Sequence, residues 1–436
     1  MSLAHSMRSA AREMFLAALA ESSVEKAFAR KLSYERGVLR VCDDLYPLNS
    51  YSRVLAVSFG KAGHRMAEIL SRMVGTTVQG IVADPNPHPY QLPGYRYFAG
   101  GHPHPNAESF RAAETILKSL ASLNSESLAL FMISGGGSAV VEKPADPEIS
   151  LEDLSATYRV LVNSGAPIAQ INAVRKHLSA VKGGRMAQAA QGAQQVSILV
   201  SDVPENALDS LSSGPTMPDS TTIEDCHRIA SEHQMLENFP ASVRELFEQR
   251  LLQETPKAGD PAFARSRWWK VLSSETAERA AAGAASKHGF PSEIDDACDD
   301  WDYARAADYL LDRLRRLRKG VARACIISGG EVTVRVSGNS GAGGRNQQFA
   351  LYCVEKIAGE NIAVLSAGTD GIDGNSPVAG AVVDGTTVER AHAAGMDVAE
   401  HLRNFNAFPL LEKLGDTIHT GPTETNVRDV RILLAY

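Results

Sequence analysis

The sequence predicts an α/β protein of two domains, and three observations predict it. A chain of 436 residues is longer than one hydrophobic core usually supports. Helical and strand-like segments alternate, and the strand-like ones are continuous apolar runs, as in parallel sheets covered on both faces. A polar stretch at 253–267, which contains Pro256, Gly259 and Pro261, has the composition of a hinge between two such series.

The first series precedes this hinge. Residues 9–36 carry apolar residues at helical spacing and predict one or two helices. The apolar runs that predict strands lie at 51–59, 80–83, 96–100, 130–133 and 196–200. The segments that predict further helices lie at 64–74, 107–123, 151–163, 168–191 and 223–252.

The second series follows the hinge. Its predicted strands lie at 269–272, 324–328, 332–336, 362–367 and 430–435. Its predicted helices lie at 276–288, 301–318 and 345–358. We therefore expect a larger parallel-sheet domain at 1–252 and a smaller α/β domain at 253–436. One alternative stays open, in which the final strand 430–435 returns to the first sheet.

Composition argues against several classes of partner. A formal net charge of −7 favours neither nucleic acid nor an acidic membrane surface. No apolar run approaches the length that spans a bilayer, and the N-terminus lacks the apolar core of a signal peptide. The five cysteines are dispersed without a CxxC pair, which favours reduced thiols. We expect a cytoplasmic protein that binds neither nucleic acid nor membranes.

One glycine-rich turn stands out in the first series. The apolar run 130–133 leads directly into Ser134, Gly135, Gly136, Gly137 and Ser138. Glycines let backbone amides approach a ligand closely, and a helix that begins at Ser138 would direct its N-terminus to the same point. The turn therefore predicts a phosphate site, with an ordinary tight connection between strand and helix as the alternative.

Two charged residues follow neighbouring predicted strands. Lys61 comes directly after strand 51–59 in a glycine-flanked turn, where an ammonium group can hold phosphate. Asp202 follows strand 196–200, where a carboxylate can bind Mg²⁺ or cap the next element. Because ligands of open α/β sheets bind where strands end, both are candidate site residues.

A basic cluster lies between these strands. Asn172, Arg175 and Lys176 share one face of a predicted helix, and Lys182, Gly183 and Gly184 follow. Four cations within the eleven residues 175–185 of an acidic protein predict an anion pocket, although a solvated basic face is the alternative. His102 and His104, in an HPHP turn without evident partner ligands, are interpreted as structural.

The second series has two polar turns of its own. Glu331 follows a strand, and a glycine-rich loop leads into Arg345 and Asn346. An arginine there can stabilise charge on a transferring phosphoryl group, or it can belong to a structural salt bridge. Asp370 and Asp373 flank a glycine turn after strand 362–367, which suits a metal, a substrate hydroxyl or a pair of Asx turns.

Together these stretches resemble the MOFRL-type glycerate 2-kinases, also called class II glycerate kinases. The resemblance covers nearly the whole chain, and the ordered set of motifs is specific. The shared motifs are GKA at 60–62, GHP at 101–103, ISGGGSA at 133–139, NAVRKHLSAVKGGRMA at 172–187, SDVP at 201–204, SGPT at 213–216, GGRNQ at 343–347, GTDGIDG at 368–374, AGAVVDG at 379–385 and TGPTETNVRD at 420–429.

The resemblance implies a fold and an activity. It implies a larger Rossmann-like domain, a smaller α/β domain and an active site in the cleft between them. The reaction it implies is phosphorylation of D-glycerate at O2 by ATP with Mg²⁺ or another divalent cation. The family's catalytic lysine and arginine correspond to Lys61 and Arg345. Glu424, which stands where the family usually has glycine, is a departure that bears on substrate preference.

The remaining candidate residues are assigned as follows. We expect nucleotide binding by Ser134, Gly135, Gly136, Gly137, Ser138, Lys182, Gly183 and Gly184. We expect substrate binding by Asn172, Arg175, Lys176, Glu331 and Asn346. We expect metal binding by Asp202 and Asp370. We expect a monomer or a homodimer.

Two other functions stay open on the sequence. An NAD(P)H-dependent hydroxypyruvate reductase fits a Rossmann-like sheet, but no strict GxGxxG fingerprint follows a strand. A non-catalytic sensor of nucleotides or sugar phosphates would fit the same fold. The chain also lacks a GxxxxGK[ST] P-loop, an HExxH zinc motif and a GxSxG nucleophile elbow.

Overall fold

The computed structural model describes residues 3–86, 88–336, 338, 340–423 and 425–436. The chain divides into two compact units. The first unit is Phe28–Val271, and the second unit combines Met1–Ala27 with Leu272–Tyr436. Each unit contains one six-stranded sheet, so the predicted α/β class is confirmed.

The sheet of the first unit has the order β6-β5-β4-β7-β8-β9. The strands are β4 Arg53–Phe59, β5 Gln79–Asp84, β6 Tyr95–Ala99, β7 Ser127–Ser134, β8 Gln194–Val200 and β9 Ser266–Leu272. Strands β4 to β8 pair in parallel, as predicted. Every residue of β7 is buried, which explains its unbroken apolar sequence.

Helices cover this sheet. Those of the first unit are α3 Gly63–Val74, α4 Ala107–Ala121, α5 Gly137–Val140, α6 Leu151–Asn163, α7 Ile168–Leu178, α8 Arg185–Ala189, α9 Ile223–Glu232 and α10 Ala241–Glu248. Val57, Phe131 and Ile116 belong to one buried core that joins β4, β7 and α4. The predicted helix 223–252 is interrupted, because Gln234 adopts a positive φ of 51° and Pro240 precedes α10.

A small antiparallel sheet replaces the end of the first predicted helix. Helices α1 Leu3–Glu21 and α2 Val24–Lys31 are followed by β1 Leu32–Glu35, β2 Val38–Val41 and β3 Asp44–Pro47. The prediction of helix up to residue 36 was therefore wrong beyond Lys31. Arg36 and Gly37 both have positive φ, which is the geometry of a two-residue turn between antiparallel strands.

The sheet of the second unit has the order β10-β11-β15-β12-β13-β14. The strands are β10 Ser292–Ile294, β11 Ala324–Gly330, β12 Ile362–Gly368, β13 Gly380–Asp384, β14 Thr417–Ile418 and β15 Asp429–Ala435. Among the pairings of these strands in the described chain, only that of β10 with β11 is parallel. The final strand lies between β11 and β12, so its alternative placement in the first sheet was wrong.

The second unit has its own helices and core. Besides α1, its helices are α11 Ser274–Lys287, α12 Tyr303–Arg318, α13 Arg345–Lys356, α14 Thr387–Ala393, α15 Val398–Arg403 and α16 Ala407–Lys413. Ile326, Leu433 and Phe349 belong to a buried core that joins β11, β15 and α13. The strand predicted at 332–336 is absent from the described structure, where only Thr333 forms an isolated bridge.

The division of the chain differs from the predicted boundary at residue 252. Strand β9 neighbours β8 in the first sheet, which moves the division beyond the polar stretch 253–267. Helix α1 contacts α11 and β12, so the N-terminal residues group with the second unit. Both features depend on contacts between distant parts of the chain. No helix among the described residues is long and apolar enough to cross a membrane.

Candidate active site

The order in which strands are added to the first sheet reverses between β4 and β7. From β4 the chain moves outward to β5 and β6, then returns to place β7 on the other side of β4. The ends of parallel strands at such a reversal form a crevice in which α/β proteins bind ligands. Phe59 of β4 is paired with Ile133 of β7, so the two turns that follow them lie side by side. These turns carry Lys61 and the residues Ser134–Ser138.

The two turns are hydrogen-bonded to each other. The Lys61 amide donates to the carbonyl oxygen of Gly135 at 2.9 Å, and the Ala62 amide donates to Ser134 Oγ at 3.0 Å. A side chain at Gly60, where φ is 105°, would collide with Ser134. Glycine is therefore required for this close approach. The sequence predicted both turns, and the structure brings them together.

The glycine turn presents unused backbone donors. Within the described part of the chain, the amides of Gly136, Gly137 and Ser138 donate no hydrogen bond. Gly136 has a φ of 81°, which glycine adopts without strain. The helix that follows, α5, is only four residues long, so the expected helix-dipole contribution is small. Consecutive free amides suit the oxygens of a phosphate.

Lys61 is an exposed cation beside this turn. Its ammonium group makes no ion pair with any residue that the structure describes. A Cβ atom on Gly136 would lie 3.0 Å from Lys61 Cγ and 3.2 Å from His102 Nε2, so both side chains border the turn. Burial, and then the charge of Lys61, lower the pKa of His102. One cationic side chain, that of Lys61, therefore borders Gly136.

Asp202 lies at the same edge of the sheet. It follows β8, and its carboxylate occupies the space that a side chain on Gly135 would need. No group of three or more histidine, cysteine, aspartate or glutamate side chains among the described residues is arranged to hold a metal ion. Because Mg²⁺ often takes only one or two protein carboxylates together with substrate phosphates, Asp202 fits that kind of site.

Lys182 supports the glycine turn from behind. It is 1% exposed, and its ammonium group donates to the carbonyl oxygen of Ser138 at 2.8 Å and pairs with Glu142. Burial lowers the pKa of Lys182, whereas Glu142 opposes this effect. Tyr158 and Ser179 also donate to Glu142. This arrangement favours a supporting role over direct contact with nucleotide.

Gly183 and Gly184, like Lys182, lie behind the glycine turn and are linked to it by hydrogen bonds. Their amides donate to the carbonyl oxygens of Ser213 at 3.0 Å and Gly214 at 2.8 Å, so these donors are already used. Ser212 Oγ in turn donates to the carbonyl oxygen of Ser134, and Ser138 Oγ lies 2.9 Å from Ser213 Oγ. The segment 212–216 thus joins Gly183 and Gly184 to the glycine turn.

The predicted anion cluster on α7 is engaged in internal contacts. Lys176 is 4% exposed and donates to Asp209 Oδ2 and Asp219 Oδ1, each at 3.1 Å. Burial would raise the pKa of Asp219, but Lys176 and nearby hydroxyls hold it below its ordinary value. Arg175 stacks on the ring of Tyr158 at 4.6 Å. Neither an anion pocket nor a solvated basic face describes Lys176 in this structure.

The second unit places Arg345 at the edge of its own sheet. Arg345 Nε donates to Asp429 Oδ2 at 2.6 Å, Nη2 donates to Asp429 Oδ1 at 3.0 Å, and Nη2 also pairs with Glu331 at 2.8 Å. Burial would lower the pKa of Arg345, but these carboxylates raise it above its usual value. The salt bridge considered from the sequence is thus present, and Nη1 donates to no described residue.

A cavity of about 670 Å³ lies in the second unit beside Arg345. Its lining includes charged side chains and half-exposed aliphatic ones. The residues that decide its character are Glu331, Arg345, Asp370, Val336, Ile372 and Phe405. A volume of this size exceeds what a three-carbon acid fills and is typical of small-molecule sites, which run from about 300 to 1,000 Å³.

Three other predicted residues of this region have structural contacts. Asp373 accepts hydrogen bonds from the amides of Asn346 and Gln347 and thereby caps α13. Asn346 is 1% exposed, donates to Asp373 and accepts from Ser366. Its side-chain amide is therefore largely occupied by internal hydrogen bonds, which argues against substrate binding. Asp370 accepts from the amide of Ile372 at 3.2 Å in an Asx turn. Glu424 lies outside the described residues.

Comparisons with known proteins decide the family. Residues 10–248 match a family model described as a domain of unknown function, DUF4147, and residues 324–429 match the MOFRL family. D-glycerate 2-kinase of Thermotoga maritima is 34% identical over 400 residues, which cover 90% of this chain and 93% of that one. The chain belongs to the MOFRL-type glycerate 2-kinase family.

A solved structure of the family supports the fold. A crystal structure of glycerate kinase from Thermotoga maritima superposes with a TM-score of 0.86 at 31% identity, covering 99% of this chain and 100% of that one. A relative from Agrobacterium vitis is 34% identical over 395 residues, 89% of this chain and 88% of that one, and it carries a provisional hydroxypyruvate reductase name. The recognised family resemblance is thus confirmed.

Three features of this glycerate 2-kinase family member were not predicted from residue types and spacing. His102 was interpreted as structural, yet it borders the glycine turn together with Lys61. Ser213 underlies the same turn, and Asp429 binds Arg345. The motifs GHP, SGPT and TNVRD marked all three segments. Their proximity to the site could not be read from spacing, because each is distant in sequence from the residue that it contacts.

Proposed function

We propose that this protein is a glycerate 2-kinase that transfers the γ-phosphoryl group of ATP to O2 of D-glycerate. The observation that carries the proposal is the position of the Lys61 ammonium beside the amides of Gly136, Gly137 and Ser138, all of which lack a partner among the described residues. A cation and several oriented N–H donors at a strand reversal form a site for the phosphates of a nucleotide. The family of the chain supports the same reaction.

Lys61 and the glycine turn would hold the phosphates. The amides are directed by the backbone and need no rearrangement, so they would stabilise the negative charge of the nucleotide from fixed positions. Lys61 would add a mobile full charge. The buried pair of Lys182 and Glu142 would keep the turn in place, because Lys182 bonds directly to Ser138.

Arg345 would offset the charge that develops during transfer. Its guanidinium is fixed on one side by Asp429 and Glu331, and Nη1 remains available for an oxygen of the transferring group. A pre-oriented donor of this kind contributes to catalysis because it costs no reorganisation at the moment of reaction. Glu331 is accordingly better explained as a partner of Arg345 than as a substrate ligand.

A divalent cation fits Asp202 best. Its carboxylate lies against the glycine turn, and carboxylate oxygens are the protein ligands that Mg²⁺ prefers. Bound Mg²⁺ would neutralise phosphate charge during transfer. Asp370 uses one oxygen in its own turn and keeps the other, so it stays the weaker candidate. A cytoplasmic location and a monomeric or homodimeric state are also part of this proposal.

One assay tests the reaction. Purified protein with D-glycerate, ATP and Mg²⁺ should release ADP only when glycerate is present, as followed by coupled oxidation of NADH. Phosphorus NMR then assigns the product, since a phosphate on O2 couples to the single proton on C2, whereas a phosphate on O3 couples to a CH₂ group. Oxidation of NADH by hydroxypyruvate in the absence of ATP would instead support a reductase and contradict the proposal.

A further inference from the structure

We infer that Asp429 is a positioning residue, which orients the guanidinium of Arg345 for phosphoryl transfer. The inference rests on the proposed function, because it assigns a task to Arg345 in that reaction. Asp429 contacts Arg345 and would not touch the reacting atoms, so it would affect the reaction only through Arg345. The contacts of Asp429, its place in the sheet and the turn that precedes it carry the inference.

Asp429 begins the central strand of the second sheet. It is paired with Gly330 at the end of β11 and with Gly368 at the end of β12, so it lies where these two strands end and β15 begins. A Cβ atom on Gly368 would lie 3.4 Å from Asp429 Oδ1, so the Asp429 carboxylate lies directly beside this glycine. Glu331 and Asp370 follow the neighbouring strands, which places Asp429 in the middle of the polar residues at this edge.

The pairing with Asp429 orients the guanidinium of Arg345 and also balances its charge. Both oxygens of Asp429 are engaged, one by Nε and one by Nη2, at 2.6 and 3.0 Å. Two parallel hydrogen bonds define the plane of a guanidinium, which a single contact cannot do. Nη1 is thereby directed away from Asp429. Because Asp429 is 1% exposed, its carboxylate cannot be replaced by water without rearranging the edge of the sheet.

The turn before Asp429 is itself held rigidly. Arg428 adopts a φ of 74°, which is unfavourable for a residue with a Cβ atom. Its carbonyl oxygen accepts hydrogen bonds from the amide and the hydroxyl of Thr369, and its guanidinium forms an ion pair with Asp299. These contacts hold the start of β15 in place, and they thereby fix the position from which Asp429 binds Arg345.

A cycle of four proteins tests this role: the parent, Asp429→Asn, Arg345→Lys and the double variant. Lysine is chosen because alanine would leave the buried Asp429 carboxylate without its cation. We expect Asp429→Asn to lower kcat by about 10- to 100-fold, as loss of an orienting partner commonly does. The KM values for ATP and glycerate should change by less than about threefold, because the group acts in the transition state.

The double variant separates orientation from structure. A lysine is a point charge without a plane, so Asp429→Asn should lower kcat by less than about threefold when residue 345 is lysine. Asp416→Asn is the matched control. Asp416 is also buried in the second unit and also forms a two-oxygen pair, with Arg390, and its variant should keep kcat within about twofold.

The outcomes are distinct. Equal losses of kcat from Asp429→Asn in both backgrounds would show a merely structural role and overturn the inference, as would near-parent kcat in the single variant. If Asp429→Asn does not fold, Asp429→Glu takes its place, since it retains the charge but displaces the carboxylate by a methylene group. Parent-like activity of Arg345→Lys would overturn the role proposed for the arginine fork itself. Absence of glycerate-dependent ADP release in the parent would instead contradict the proposed function.

Discussion

Lys61→Ala is the most direct test of the site in the first unit. The Lys61 side chain is exposed and has no ion-pair partner among the described residues, so its loss should change the free energy of unfolding by less than about 0.5 kcal/mol. Loss of a donor to developing charge costs about 3 to 4 kcal/mol of transition-state stabilisation, or roughly 10²- to 10³-fold in kcat. We therefore expect a large catalytic defect in a protein of unchanged stability.

The measurement pairs kinetics with denaturation. Initial rates of glycerate-dependent ADP release give kcat and KM, and urea unfolding gives the free energy of unfolding for the same preparations. Lys118→Ala, which removes an exposed lysine from the last turn of α4, is the control and should leave both unchanged. Turnover of Lys61→Ala within about threefold of the parent would refute the reasoning. A loss of stability that accompanies the loss of activity would show that Lys61 has contacts beyond those described.

Three further predictions concern Gly136, Lys176 and Glu254. Gly136→Ala should lower kcat/KM at least about tenfold and stability by about 1 kcal/mol, because φ is 81° and the new Cβ would crowd Lys61; parent-like kinetics would contradict an active role for the turn. Lys176→Met should lower the free energy of unfolding by about 3 to 5 kcal/mol, because it leaves the buried Asp219 unpaired; an unchanged unfolding curve with a raised KM for glycerate would restore the predicted substrate role. Glu254 has its pKa lowered to about 2 against the effect of burial, mainly by Lys257 and His177, so its contribution is present above pH 4.5 and lost as pH falls towards 2. The difference in Tm between the parent and Glu254→Gln should therefore shrink below pH 4.5, and a difference independent of pH would contradict this linkage.

The strand-end turns were accessible from the sequence for a physical reason. Apolar runs that stop at glycine, serine or charged residues mark the ends of buried strands, and parallel strands bring those ends to one edge. Lys61, the turn 134–138 and Asp202 were identified in this way, and the structure places all three at one edge of the first sheet. The second series was harder, since its antiparallel pairing leaves no comparable signature in helical and strand periodicity.

What the sequence by itself determined was the α/β class, the family and the chemical types present at the strand ends, because these depend on local patterns and on an ordered set of motifs. The tertiary structure alone decided which cations are available to a ligand. Lys61 and Lys176 have the same charge, but Asp209 and Asp219, which lie 33 and 43 positions from Lys176, neutralise it within the fold. The orientation of the Arg345 guanidinium depends in a similar way on a distant residue, Asp429, which lies 84 positions away. Pairings over such separations arise from packing, which periodicity does not encode.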